Sequence, residues 1–266
     1  MNYKFTDNQM FGYILKEDKS LCRDILETIL DISIDKIEYI EDEKHDKVSP
    51  DFKEIRLDIK AETKDAVFDI EMQAVKKGNL LKRARYYQTI NDAFQLKRGD
   101  DYKELNPNYV IFICADDFIG TDEAYADFRM MAELEHGICE RDDGRHIIFL
   151  AASLFDKKPG LAGSKLLNLL QYIHNGTVTD SLTEDLAKAV KQANESEAFK
   201  MSITYESELQ EYKDALKESQ DREDLYRKRM NSISLENADQ AQQLKSKDKE
   251  IEDLKNRLSK YETIEK

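Results

Sequence analysis

The clearest pattern in the chain is an alternation of apolar and polar positions between residues 54 and 73. A two-residue period is typical of a β-strand with one apolar face. The alternation occurs in two runs, and the polar residues 63–66 between them are compatible with a turn. We therefore predict an antiparallel hairpin in which Asp58 lies opposite Glu71.

The predicted hairpin places carboxylates next to each other. Facing like charges in a sheet repel, at a cost of roughly 0.2–1 kcal/mol when exposed and more when buried. A hard divalent cation with oxygen ligands is the obvious group to offset the repulsion between Asp58 and Glu71. Asp69 lies on the same face as Glu71, and the same register pairs it with Lys60. The simpler alternative is that these acids line a solvated face of the hairpin.

Helical periodicity and short apolar runs predict the remaining elements. Helices are predicted over residues 6–31, 80–98, 161–173 and 181–200, with Ser20 as an N-cap within the first stretch. Strands are predicted over residues 34–41, 109–114 and 146–152, a charged linker over 41–51, a surface loop over 116–127, and an irregular or helical segment over 128–136. In the helix 80–98, one apolar stripe should consist of Leu81, Ala84, Tyr87, Asn91 and Phe94.

The chain changes character from Tyr205 onwards, because glycine and proline disappear and apolar residues follow a 4-3 spacing. Eight heptads in one register predict a coiled coil. Asn237 at a core position favours two strands, so we predict a parallel homodimer through residues 205–261. The predicted domains are residues 1–200 and a coiled-coil helix over residues 201–266. A single solvated helix is the alternative.

Composition narrows the function classes. The net charge of −14 disfavours non-specific nucleic-acid binding, but residues 76–98 carry seven basic residues and one acid. Three cysteines without paired spacing suit a reducing compartment. No apolar run approaches the roughly 20 residues that span a bilayer, and no signal-peptide core is present. We therefore expect a cytoplasmic protein without membrane association. The absence of Gly-rich phosphate loops and of GxSxG disfavours nucleotide hydrolysis and serine-hydrolase chemistry.

Several segments together resemble one protein family. An aspartate, a short hairpin and the sequence IEMQ, followed by KRARYYQ, resemble the PD-(D/E)xK nuclease signature of transposases and recombination-promoting nucleases. The segments KSLCRDILETIL and NPNYVIFIC extend the resemblance over residues 5–200. It implies an α/β fold with a restriction-endonuclease-like core, a mixed sheet flanked by helices. It also implies a magnesium-dependent (or manganese-dependent) DNA endonuclease.

The resemblance also assigns roles to individual residues. It implies that Asp58 and Glu71 bind the metal and that Gln73 takes the position of the signature lysine, although an amide is not a base near neutral pH. The implied contacts to DNA phosphates are Arg83, Tyr87 and Lys82, and the implied accessory acids are Glu27 and Asp69.

A second function stays open at this point. The missing lysine and the negative net charge favour a non-catalytic interaction module, in which a nuclease fold dimerised by a coiled coil binds DNA or protein. The acidic pair Asp58 and Glu71 favours the enzyme.

Overall fold

The computed structural model describes residues 2–46, 55–157 and 163–264. The chain divides into two units, Met1–Lys200 and Met201–Lys266. The first unit contains every strand of the described residues, and the second is helical. The two units are taken in turn.

A six-stranded mixed sheet forms the centre of the first unit. The strands along the chain are β1 (Tyr39–Asp46), β2 (Ile55–Glu62), β3 (Val67–Gln73), β4 (Asn108–Cys114), β5 (Tyr125–Phe128), β6 (Met131–Leu134), β7 (Gly137–Glu140) and β8 (Arg145–Ala151). The large sheet has the order β1-β2-β3-β4-β8-β5, while β6 and β7 form a separate hairpin. Strands β3, β4 and β8 are parallel, and the other neighbours are antiparallel.

Helices flank this sheet, which confirms the predicted α/β class. They are α1 (Asn8–Glu17), α2 (Lys19–Leu30), α3 (Leu80–Gln95), α4 (Ser164–Asn175), α5 (Ser181–Glu195) and the long α6 (Glu197–Ile264). The predicted N-cap of the second helix is wrong by two residues. The cap is Asp18, whose carboxylate accepts hydrogen bonds from the backbone N–H groups of Ser20 and Leu21.

The hairpin of β2 and β3 has the predicted register. Lys60 lies opposite Asp69, and the backbone pairing continues to Ile59 and Ile70. Thr63 closes the turn, because its hydroxyl accepts hydrogen bonds from the backbone N–H groups of Asp65 and Ala66. The alternative of a solvated acidic face is wrong, since all seven residues of β3 are buried.

Helix α3 covers one face of the sheet beside this hairpin. Its apolar residues pack with those of β4 and β8 in one cluster that includes Leu80, Ala84, Tyr87, Ile90, Val110, Phe112 and Phe149. The predicted stripe is therefore partly wrong. Leu81 and Phe94 are each 49% exposed, because the helix turns Leu80 and Ile90 towards the sheet.

Three segments differ from the sequence-based expectation. The first strand begins at Tyr39, so part of the expected linker 41–51 belongs to β1, and residues 47–51 lie outside the described residues. The expected loop 116–127 ends in the edge strand β5. The segment 128–136 contains strand β6 rather than a helix, and it pairs with β7. Strands β5, β6 and β7 are only four residues long, and their sequences lack clear alternation.

The second unit is one continuous part of α6. Large apolar side chains at the predicted coiled-coil core positions are exposed on the single chain; among them are Tyr205, Leu209, Tyr212, Leu216, Tyr226, Met230, Leu244 and Leu254. The helix is thus long and has the expected apolar row, while the pairing of two such helices stays a prediction. Within the described ranges, none of the helices combines the length and the apolar character that crossing a membrane requires.

Candidate metal and phosphate site

The end of the hairpin brings Asp58 and Glu71 together. The backbone pairing of β2 with β3 stops at Ile59 and Ile70. Beyond that point the Asp58 N–H donates to Glu71 Oε1 at 3.0 Å, and the Met72 N–H donates to Asp58 Oδ2 at 3.0 Å. Each carboxylate therefore has one oxygen fixed by the backbone of the opposite strand, which fixes the position of the pair.

Burial and mutual repulsion act on these acids. Glu71 is 3% exposed, and burial, followed by the charge of Asp58, raises its pKa to about 8. Asp69 is fully buried, and burial, followed by the charges of Glu71 and Asp58, raises its pKa well above the usual value. Among the described residues, neither oxygen of Asp69 has a hydrogen-bond partner. The cluster is therefore short of positive charge, the condition that favours a bound cation.

The buried Lys60 compensates this charge only in part. Its position opposite Asp69 is as predicted, and its charge lowers the pKa of that acid. Its Nζ forms an ion pair with Glu62 Oε1 at 3.1 Å, on its own strand. Lys60 is thus a neighbour of Asp69 without a hydrogen bond to it.

Arg83 reaches the acidic pair from helix α3. One guanidinium nitrogen, Nη2, donates to Glu71 Oε2 at 3.0 Å and to the Tyr87 hydroxyl at 3.2 Å, and Nη1 donates to Gln73 Oε1 at 2.9 Å. The guanidinium carbon lies 5.3 Å from the ring centres of Tyr87 and Phe112. The contact of Arg83 and Tyr87 with phosphate stays a prediction, and both side chains are already engaged with each other inside the site.

Gln73 is buried and has a defined orientation. Its carbonyl accepts from Arg83, and its amide donates to the Val75 carbonyl at 2.8 Å. Arginine has no acceptor, so the side chain must present its oxygen to the guanidinium. This orientation shows that Gln73 holds Arg83 in place, a contact that sequence reasoning missed.

Asn8 is a second group that sequence reasoning missed. It is the first residue of α1, and its amide nitrogen lies 3.3 and 3.4 Å from the two carboxylate oxygens of Asp58. A polar residue in the first turn of a helix usually serves the cap, so its sequence context points elsewhere. The fold brings it to the hairpin across 50 positions of sequence.

Two other predicted residues lie in different surroundings. Glu27 accepts a hydrogen bond from the Ile34 N–H at 2.7 Å, so its carboxylate satisfies the loop after α2. This structural role argues against Glu27 as an accessory acid of the site. Lys82 lies on the exposed side of α3, next in sequence to Arg83. Its contact with phosphate stays a prediction.

The donor set suits a hard divalent cation. Asp58 and Glu71 offer two carboxylates on neighbouring strands, just beyond the last backbone pair of the hairpin, with only oxygen donors. Magnesium commonly binds one or two carboxylates and keeps several waters. The described residues contain no group of three or more His, Cys, Asp or Glu side chains arranged to hold a metal. The fit is therefore to an ion that completes its coordination with water and substrate rather than to an all-protein cage.

Comparison with known proteins decides the family. The family model described as PD-(D/E)XK nuclease family transposase matches residues 2–229. The chain belongs to this family. Membership indicates a nuclease- or transposase-like function, and PD-(D/E)XK nucleases generally use divalent metals. Neither the curated proteins nor the solved structures contain a match to the chain.

Proposed function

We propose that this chain is a magnesium-dependent (or manganese-dependent) DNA endonuclease that acts in DNA rearrangement. The observation that carries the proposal is the interlocked pair Asp58 and Glu71, whose carboxylates are fixed by backbone N–H groups. Two carboxylates held this way where the strand pairing stops would bind a divalent ion with little further loss of side-chain entropy. Family membership supplies the reaction class.

Each side chain of the site has its own role in the proposed reaction. Asp58 and Glu71 hold the ion, which would activate water and stabilise the charge that develops on the phosphate. Gln73 keeps the guanidinium of Arg83 at the site and retains one amide hydrogen for water or phosphate. Tyr87 stays a neutral phenol, because burial, followed by the charge of Glu71, raises its pKa to about 12. Tyr87 is thus not a general base at neutral pH.

The proposed substrate is supported by the surface beside the site. Lys76 and Lys77 precede α3, and Lys82 and Arg85 lie on its exposed side. These four cations lie close in sequence to the acidic pair and offer contacts to phosphates, which supply most of the affinity of such proteins for DNA. These exposed residues give this part of the chain a local positive charge, although the net charge of the whole chain is −14.

We further propose that the protein is a homodimer through residues 205–261. The exposed apolar row of α6 supports this proposal, because two such rows bury each other in a coiled coil. Two linked sites can cut both strands of a duplex. All three cysteines are free thiols, in keeping with the proposed cytoplasmic location.

The second candidate, a non-catalytic DNA- or protein-binding module, is favoured by one specific observation. Arg83 already neutralises Glu71, and Gln73 replaces the signature lysine. An acidic pair with its own internal cation has less need of a metal. This reading predicts DNA binding without cleavage.

Nicking of supercoiled plasmid by the full chain, with and without magnesium, separates the two functions. We expect cleavage that requires metal, and its loss in Asp58→Asn, which keeps an acceptor for the Met72 N–H. Glu27→Gln is the matched control, since it changes a helix acid outside the pair and should cut normally. Metal-independent cutting, or full activity of Asp58→Asn, would contradict the proposed site. DNA binding without any cutting would favour the second candidate.

A further inference from the structure

Arg83 occupies the part of Glu71 that a metal needs. Glu71 Oε1 accepts from the Asp58 N–H, so Oε2 is the oxygen that points away from the backbone pairing. That oxygen accepts from Arg83 Nη2 at 3.0 Å. A guanidinium and a divalent cation at the same carboxylate oxygen repel each other strongly in a buried site.

The surroundings of Arg83 offer a second position for its charge. Nη1 is held independently by Gln73 Oε1, and the guanidinium lies against the faces of the Tyr87 and Phe112 rings. The side chain is also 25% exposed, whereas that of Glu71 is 5% exposed. The arginine can therefore give up Glu71 and keep its contact with Gln73, its aromatic contacts and a path to solvent.

We propose that Arg83 is an exchangeable internal cation: it neutralises Glu71 in the metal-free protein, and it releases Oε2 to turn about Gln73 towards a bound phosphate when the metal site is filled. The inference rests on the proposed metal site. It gives Gln73 a reason to be an amide, since a lysine there has no acceptor for the guanidinium. It also makes metal and Arg83 competitors for one carboxylate, so each must weaken the binding of the other by the same factor.

Titration calorimetry with manganese alone, without DNA, tests the competition. We expect Arg83→Met to bind the ion more tightly than the wild type, by a factor in the range of roughly 5–150 that is typical of coupled sites. Arg85→Met is the matched control, because it removes a positive charge from the exposed side of the same helix. Plasmid nicking by Arg83→Met should fall despite the tighter metal, because the phosphate loses its cation.

The outcomes separate this inference from the proposed function. Equal manganese affinity in Arg83→Met and the wild type overturns the competition, whether or not the wild type cuts DNA. Tighter binding in Arg83→Met with no cutting by the wild type supports the competition and overturns the endonuclease. If Arg83→Met does not fold, Arg83→Gln replaces it: this neutral, polar side chain also removes the competing charge, so it should bind manganese more tightly, and unchanged affinity overturns the inference.

Discussion

Restoring the signature lysine tests the role of Gln73 most directly. From the motif alone, Gln73→Lys should preserve or raise activity. The structure adds a cost in stability, because the Gln73 carbonyl accepts from Arg83 at 2.9 Å and the position is 3% exposed. The substitution removes a charge-assisted hydrogen bond, worth about 1.5–3 kcal/mol. It also places an ammonium beside a guanidinium, which costs about 4 kcal/mol for charges 4 Å apart at an effective dielectric constant near 20.

Loss of the lysine proton sets an upper limit on the repulsion alone, because moving a lysine pKa from about 10.4 to 7 costs about 5 kcal/mol. Since the lost hydrogen bond contributes about 2 kcal/mol and the repulsion about 4 kcal/mol, we expect Gln73→Lys to lower the free energy of unfolding by about 6 kcal/mol, measured by urea denaturation at pH 7. The neutral control Gln73→Met loses the hydrogen bonds to Arg83 and Val75 but adds no charge, so it should lower the free energy of unfolding by only about 3 kcal/mol.

The exchange variant Gln73→Lys/Arg83→Gln returns the site to one cation and one amide. It should regain at least about 2 kcal/mol relative to Gln73→Lys, since the two positions are in contact and their effects are not additive. Additive effects of the two substitutions, or a Gln73→Lys protein as stable as the wild type, would show that the contact does not determine the residue at this position.

Three further predictions concern other parts of the chain. Glu27→Ala should lower the free energy of unfolding by about 1–2 kcal/mol in urea denaturation, through the lost acceptor for Ile34, while plasmid nicking stays normal; lost nicking in a folded variant would restore Glu27 to the site. The folded-state pKa values of Asp69 and Glu71 are raised, so the folded protein binds more protons and its stability should fall as pH rises from about 4.5 towards 8. Asp69→Asn should flatten this fall in denaturation series across that range, whereas parallel curves would contradict the burial of an unpaired acid. Deleting residues 203–266 should convert a dimer into a monomer that nicks but rarely linearises plasmid, and a monomeric full-length chain in light scattering would refute the coiled coil.

The hairpin was predictable because its determinants are local. Alternating residues set the strands, and the polar residues 63–66 set a turn that fixes the register of Lys60 and Asp69. The same pattern could not show that β3 is buried on both faces. That burial depends on elements distant in sequence, and even the neighbouring strand β4 joins β3 only after the crossover through α3.

The cations and amides around the acids were not predictable in the same way. Helical spacing places Arg83 on α3, but it does not reveal that its guanidinium turns inward to Glu71 and Gln73. Asn8 comes from a helix 50 positions away, and no spacing rule links it to Asp58. The hydrogen bond from Ile34 to Glu27 was likewise not predictable, because a helix acid that accepts from a backbone N–H has no distinct sequence signal.

The parallel pairing of β3 with β4 also bears on the order in which the site assembles during folding. Hairpins close within microseconds, whereas parallel pairing across a helical crossover needs a longer loop to close and is slower. We therefore expect Asp58 and Glu71 to meet during folding while Arg83 is still on an undocked helix. The acids spend that interval repelling each other, so the nascent hairpin is least stable where the finished site is most negative. A dissolved divalent ion that bridged the two carboxylates at this stage would offset their repulsion and so speed the folding of the hairpin, before any part it would take in DNA cleavage.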